Sequence, residues 1–108
     1  MISRHNPRFR VDVPLSFLGD KEGEGTVLEL SKSGCQIKTA VSLEVGNYLA
    51  LNMGLPGQSS PMNVEVAVVR WAREGQFGVV FIICADAEQT RLRQYLQALP
   101  ALSALDVV

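Results

Sequence analysis

The chain has 108 residues, a length that fits one ordinary domain with a real hydrophobic core. Apolar residues make up 47% and charged residues 19%, which excludes a disordered polar chain, and the longest apolar run, Val79 to Ala85, is too short to insert across a membrane. A formal net charge of -1 excludes the broad basic surface of a bulk nucleic-acid binder, although Arg4, Arg8 and Arg10 all precede the first acid, Asp12.

Residues 1–9 carry this local basic charge and read as an irregular, flexible segment, because Pro7 has no amide hydrogen and disfavours helix at Asn6. They lack the apolar stretch of a secretory leader, so a cytoplasmic location is expected. From Phe9, FRVDVPLSFL alternates apolar and polar residues as a half-buried strand does, with Pro14 implying an edge or a bulge. GDKEGEG turns the chain. TVLELS, a tight turn at KSG and CQIKTAV then form a hairpin, with Gly34 expected at positive φ. After Val45 and Gly46, NYLALNM is a further strand, and GLPGQSSP is a loop rich in glycine and proline. VEVAVVRWA and QFGVVFIIC, joined near Glu74 and Gly75, complete about six strands. Short strands punctuated at regular spacing indicate a mainly all-β domain, a closed antiparallel barrel or a sandwich.

The end of the chain changes period. DAEQTRLRQYLQAL offers Asp86 as N-cap with Gln89 as its capping-box partner. Leu92, Tyr95, Leu96 and Leu99 repeat at helical spacing, a stripe suited to covering one open side of the barrel, and Pro100 ends the helix.

Chemistry is sparse. Cys35 and Cys84 sit in apolar stretches without a CxxC or metal spacing and read as buried free thiols. His5 is the one histidine, and no triad, HExxH, P-loop or GxGxxG is present, so neither an enzyme nor a cofactor or metal site is expected. Aromatic residues at 6% argue against a single-stranded DNA or RNA binder. Arg4 and Arg8 are more informative. Guanidinium groups form forked bonds to phosphate, pair with the O6 and N7 edge of guanine and stack on purines; the alternative is a solvated basic tail. Glu29, Ser31 and Gly34 cluster at the hairpin turn, where a carboxylate can accept from guanine N1 and N2; the alternative is that Ser31 and Ser33 only satisfy the turn.

Arg4-His5-Asn6-Pro7-Arg8 and Glu29-Leu30-Ser31-Lys32-Ser33-Gly34 together resemble the RxxxR and D/N-x-S-x-x-G motifs of the PilZ domain, the bacterial receptor module for cyclic di-GMP. VVRWAREGQFGVVF is similar to the closing hairpin of that family, and the resemblance covers residues 4–99. It implies one stand-alone PilZ domain over residues 1–108: a basic N-terminal segment at 1–9, a six-stranded antiparallel PilZ-type β-barrel at 9–84 and a C-terminal α-helix at 86–99. It further implies Arg4 and Arg8 as clamps on cyclic di-GMP, taken as one molecule or as an intercalated dimer. Ser31 would donate and accept, Gly34 would permit the turn, and Trp71 would flank the site or, alternatively, pack in the core. Glu29 departs from the family's Asp or Asn by one methylene, about 1.5 Å of reach, which costs roughly 1–3 kcal/mol if a charged hydrogen bond is misplaced. Pairing Arg10 instead of Arg8 would put Asn6 at the first clamp and break the motif. The implied function is a receptor that relays the nucleotide signal to an unidentified effector protein. The alternative is a degenerate PilZ domain that binds no nucleotide and serves as a protein-interaction module, as in pilus or motility regulation.

Overall fold

The computed structural model describes residues 7–99. Six strands and one helix follow in order: β1 (Phe9–Gly19), β2 (Gly23–Leu30), β3 (Gly34–Thr39), β4 (Tyr48–Met53), β5 (Met62–Arg73), β6 (Gln76–Ile83) and α1 (Asp86–Gln97). Every neighbouring pair is antiparallel, and the order β1-β2-β3-β6-β5-β4 closes because β4 also pairs with β1. The architecture is therefore a barrel and not a sandwich. Period-two alternation turns Val13, Leu15 and Phe17 inward along β1, and the same parity brings in Leu49, Leu51 and Met53 from β4. Phe17 meets Phe77 edge-on at 5.5 Å between ring centroids.

Pro14 shows how a closed barrel accommodates proline. Its carbonyl accepts from the Gly54 amide at 2.9 Å, just past the point where β4 begins pairing with β1 at Leu15 and Met53. In an antiparallel strand the N–H and C=O of one residue face the same neighbour, so the missing amide faces a place where β4 has already ended. A bulge between Arg10 and Val13 lies beside it.

The expected positive φ at Gly34 is not found: the left-handed glycine of the paired hairpins is Gly75, at φ 82°, in the β5–β6 turn. Gly34 is needed for space instead. It pairs with Val80, and a Cβ there would run into the Val79 carbonyl oxygen.

The helix also starts differently from expectation. Ala85 is the N-cap, with no side-chain cap bond, and its carbonyl accepts from the amides of Glu88 and Gln89 at 2.9 Å each. Asp86 is already inside the first turn, one position too late to cap, where its charge and that of Glu88 suit the positive end of the helix dipole. Gln89 donates to the Cys84 carbonyl at 2.7 Å and closes no capping box. A twelve-residue helix is marginal alone, so packing must hold it. Leu92 and Leu96 are buried against the barrel, Tyr95 and Leu99 pack partly, and the helix lies on β5. Arg91 adds a polar lock: it donates to Gln58 at 2.8 Å and to the carbonyls of Pro61 and Ser60, and pairs with Glu88 at 3.1 Å. Pro100, expected to end the helix, lies outside the described residues.

Of the two thiols only Cys35 is buried; Cys84 is half-buried, because it follows the end of β6 where Ile82 and Ile83 are also exposed. Burial pushes the Cys35 thiol far up. Cys84 is raised less, by burial first and then by the charges of Glu88 and Glu65.

Candidate functional site

The site is built by two bulges. On β2, Val27 and Leu30 both point into the barrel although they are three residues apart, because the register with β3 slips between Val27 and Glu29. Strict alternation from Val27 would turn Glu29 inward; the extra residue, Leu28, turns it out. On β5 the register with β6 slips between Val69 and Trp71, with Arg70 as the extra residue. Val69 faces the core, and Trp71 is thereby carried to the outer face, which excludes the core placement considered for it.

The register then lines up one transverse row. Arg10 pairs with Glu29, Glu29 with Gln36, Gln36 with Gly78, and Gly78 with Trp71. Gly78 is buried because the Trp71 indole lies across it, and a Cβ at residue 78 would collide with that ring. Arg73 sits with its guanidinium carbon 4.9 Å from the Trp71 ring centroid, a cation–π contact that steadies the indole. Gln36 donates to Gln76 at 2.8 Å on the same face.

At one end of this row the start of β1 meets the β2–β3 turn. There Arg8 approaches Glu29 at 3.8 Å, with the arginine side chain 65% exposed. The pair is long and wet, so neither partner is tied down. Ser31 is buried and holds the turn: its hydroxyl accepts from the Ser33 amide at 3.2 Å and bonds the Gly34 carbonyl at 3.3 Å. Its backbone amide donates to the same carbonyl at 2.9 Å. This is the turn-satisfying arrangement of serine.

Between the turn and the tryptophan lies an open cleft of about 220 Å³. Arg8, Glu29, Ser31, Gly34 and Trp71, singled out from sequence, all line it. Arg4 lies outside the described residues. Arg70 and Gln36 also line the cleft and were missed. The signal for Gln36 was its place opposite Glu29 across a hairpin; Arg70 is placed by a bulge that no local pattern announces. Chemically, the cleft offers arginine donors, a carboxylate acceptor and an indole within one concavity. Among the described residues no three His, Cys, Asp or Glu side chains gather as a metal site, and no helix is long and apolar enough to cross a membrane.

The family model described as PilZ domain matches residues 2–98. No curated protein matches the chain. Among solved structures it is similar to the Bacillus subtilis inhibitor of motility MotI/DgrA, with a TM-score of 0.71 and 22% identity over 88% of this chain and 50% of that one. It is also similar to the PilZ domain of CeSA from a cellulose-synthesizing bacterium, with a TM-score of 0.65 and 15% identity over 81% of this chain and 91% of that one. The chain spans half the length of MotI/DgrA, and at these identities the likeness is one of fold.

Proposed function

The chain belongs to the PilZ domain family, a family of cyclic di-GMP receptors, and we propose that it binds cyclic di-GMP in the cleft between the β2–β3 turn and Trp71. The observation that carries this is the gathering of Arg8, Glu29, Ser31, Gly34 and Trp71 around one concavity, with Arg70 added from the β5 bulge.

Guanine presents acceptors at O6 and N7 and donors at N1 and N2. Arg8 and Glu29 can thus exchange their 3.8 Å contact for bonds to opposite edges of one base, and neither charge is left alone. Trp71 supplies an apolar flank for the ring, and Arg70 a second guanidinium for phosphate. Ser31 acts chiefly by shaping the turn, with its hydroxyl reaching the ligand only if the Ser33 contact opens. A cleft of about 220 Å³ is below the roughly 300–1,000 Å³ that encloses a drug-sized ligand, so the dinucleotide needs contacts beyond it. Arg4, four residues before Arg8, is assigned that role, closing over one ligand or an intercalated pair. Ordering the N-terminal segment costs conformational entropy and moderates affinity. The bound state then presents a changed surface to an effector protein in the bacterial cytoplasm.

One observation favours the second reading, a ligand-blind interaction module: Glu29 already partners Arg8, and the Ser31 hydroxyl is already engaged. Calorimetric titration with cyclic di-GMP separates the two. Binding lost in Arg8→Ala supports the receptor; absence of heat at high micromolar nucleotide refutes it and leaves the interaction module.

A further inference from the structure

Beyond the cleft, the outer face of the barrel continues into an apolar strip. Leu18 is 60% exposed, Tyr48 57% and Ile83 50%. The register joins them through β5: Leu18 pairs with Ala50, Tyr48 with Val68, Val68 with Val80, and Val66 with Ile83. Side chains this large and this exposed, contiguous across four strands, mark a surface that is covered in use.

The charges that flank the strip along β5 identify what covers it. On β5, Glu65 stands at one end of the outward valines and Arg70 at the other, both exposed. Neither has a hydrogen-bond or ion-pair partner among the described residues. Four residues of strand lie between them, a span of about 16 Å. The strip thus reads acid, apolar, base along one strand. That order is complementary to itself when reversed, as a two-fold axis requires. A partner surface of a single charge sign would be repelled at one end.

We infer that a second copy of this chain docks on this face, β5 against β5 in opposite directions, with Glu65 of each copy facing Arg70 of the other across a core formed by Tyr48, Val66, Val68 and Ile83. The inference does not rest on nucleotide binding, although Arg70 also lines the cleft and would be shared with a ligand there, and it is tested without nucleotide. Sedimentation equilibrium at low salt should show a monomer–dimer equilibrium with a dissociation constant on the order of 10–100 µM. Glu65→Arg replaces two attractive contacts by two repulsive ones and should weaken the dimer about ten-fold or more, and Glu65→Arg with Arg70→Glu should restore it. Ile83→Asp, at an exposed position that the fold does not need, should leave only monomer. A chain that stays monomeric at about 500 µM, whether or not another protein uses the face, overturns the inference. So does a dimer that survives both Glu65→Arg and Ile83→Asp, because it then uses another surface.

Discussion

Two arginine–glutamate pairs, one within α1 and one between the approach to β1 and β2, differ in how much of each arginine the fold has already used. Arg91 and Glu88 on α1 meet at 3.1 Å with side chains 24% and 19% exposed, and Arg91 spends its other donors on Gln58 and two loop carbonyls. Glu88 in turn accepts the Asn63 amide at 2.9 Å. Arg8 and Glu29 are 3.8 Å apart, and the arginine is 65% exposed with no second partner among the described residues. The first pair is saturated and ties a loop to a helix. The second has unspent hydrogen-bonding capacity, as a ligand site requires. An arginine's function follows from how many of its donors the fold has already used.

Four measurements sharpen or break that contrast. The largest effect belongs to the saturated pair: Arg91→Ala should lower unfolding stability in denaturant by about 1.5–3 kcal/mol, because several exposed and half-buried acceptors lose one shared charged donor, and it should leave nucleotide affinity near wild type. Arg8→Ala should do the reverse, weakening cyclic di-GMP at least ten-fold by calorimetry, equivalent to about 1.4 kcal/mol, with stability unchanged within about 0.5 kcal/mol. A stability loss at Arg8 as large as that at Arg91 would erase the distinction. Glu29→Asp shortens the acceptor by about one carbon–carbon bond. A several-fold gain in affinity would show that the longer glutamate holds Arg8 back or misplaces its own bond; unchanged affinity would remove Glu29 from the contacts. The last measurement, which shows nothing below about pH 9, concerns the boundary between core and cleft, where Cys35 lies. Its folded thiol is pushed up from the ordinary 9.0, so its contribution is complete below pH 9 and falls above it, as the unfolded chain ionises and the folded one does not. Stability should therefore drop about 1.4 kcal/mol per unit above that pH, and Cys35→Ala should remove this part of the slope in denaturant titrations.

How far the sequence could be read follows from which physics is local. Alternation, turn residues and the helical leucines are local, and they place six strands and α1 in order. Closure of β4 onto β1 is long-range, and the sequence left barrel and sandwich open until the family resemblance was weighed. The motif residues Arg8, Glu29, Ser31 and Gly34 were found because they are near one another in sequence, and they do line one cleft. Arg70 was hidden because its position depends on a slip between β5 and β6, and Trp71 stayed ambiguous for the same reason. Gly34 was noticed for the wrong reason: backbone crowding against Val79, invisible without the partner strand, takes the place of a left-handed turn. Asp86 missed the cap by one residue, the usual scale of error where only a short polar side chain decides a boundary.

The bulges at Leu28 and Arg70 carry an implication for how such a site changes over time. Since one surplus residue in each strand is what turns Glu29 and Trp71 outward, deletion of the Leu28 codon would swing a carboxylate into the barrel without altering any cleft residue, and deletion of the Arg70 codon would remove one guanidinium and swing the indole inward as well. The site is therefore more exposed to insertions and deletions than to substitutions. Among related barrels, strand length between the inward valine and the next inward residue is a better criterion for a surviving cleft than the identity of the residues that line it.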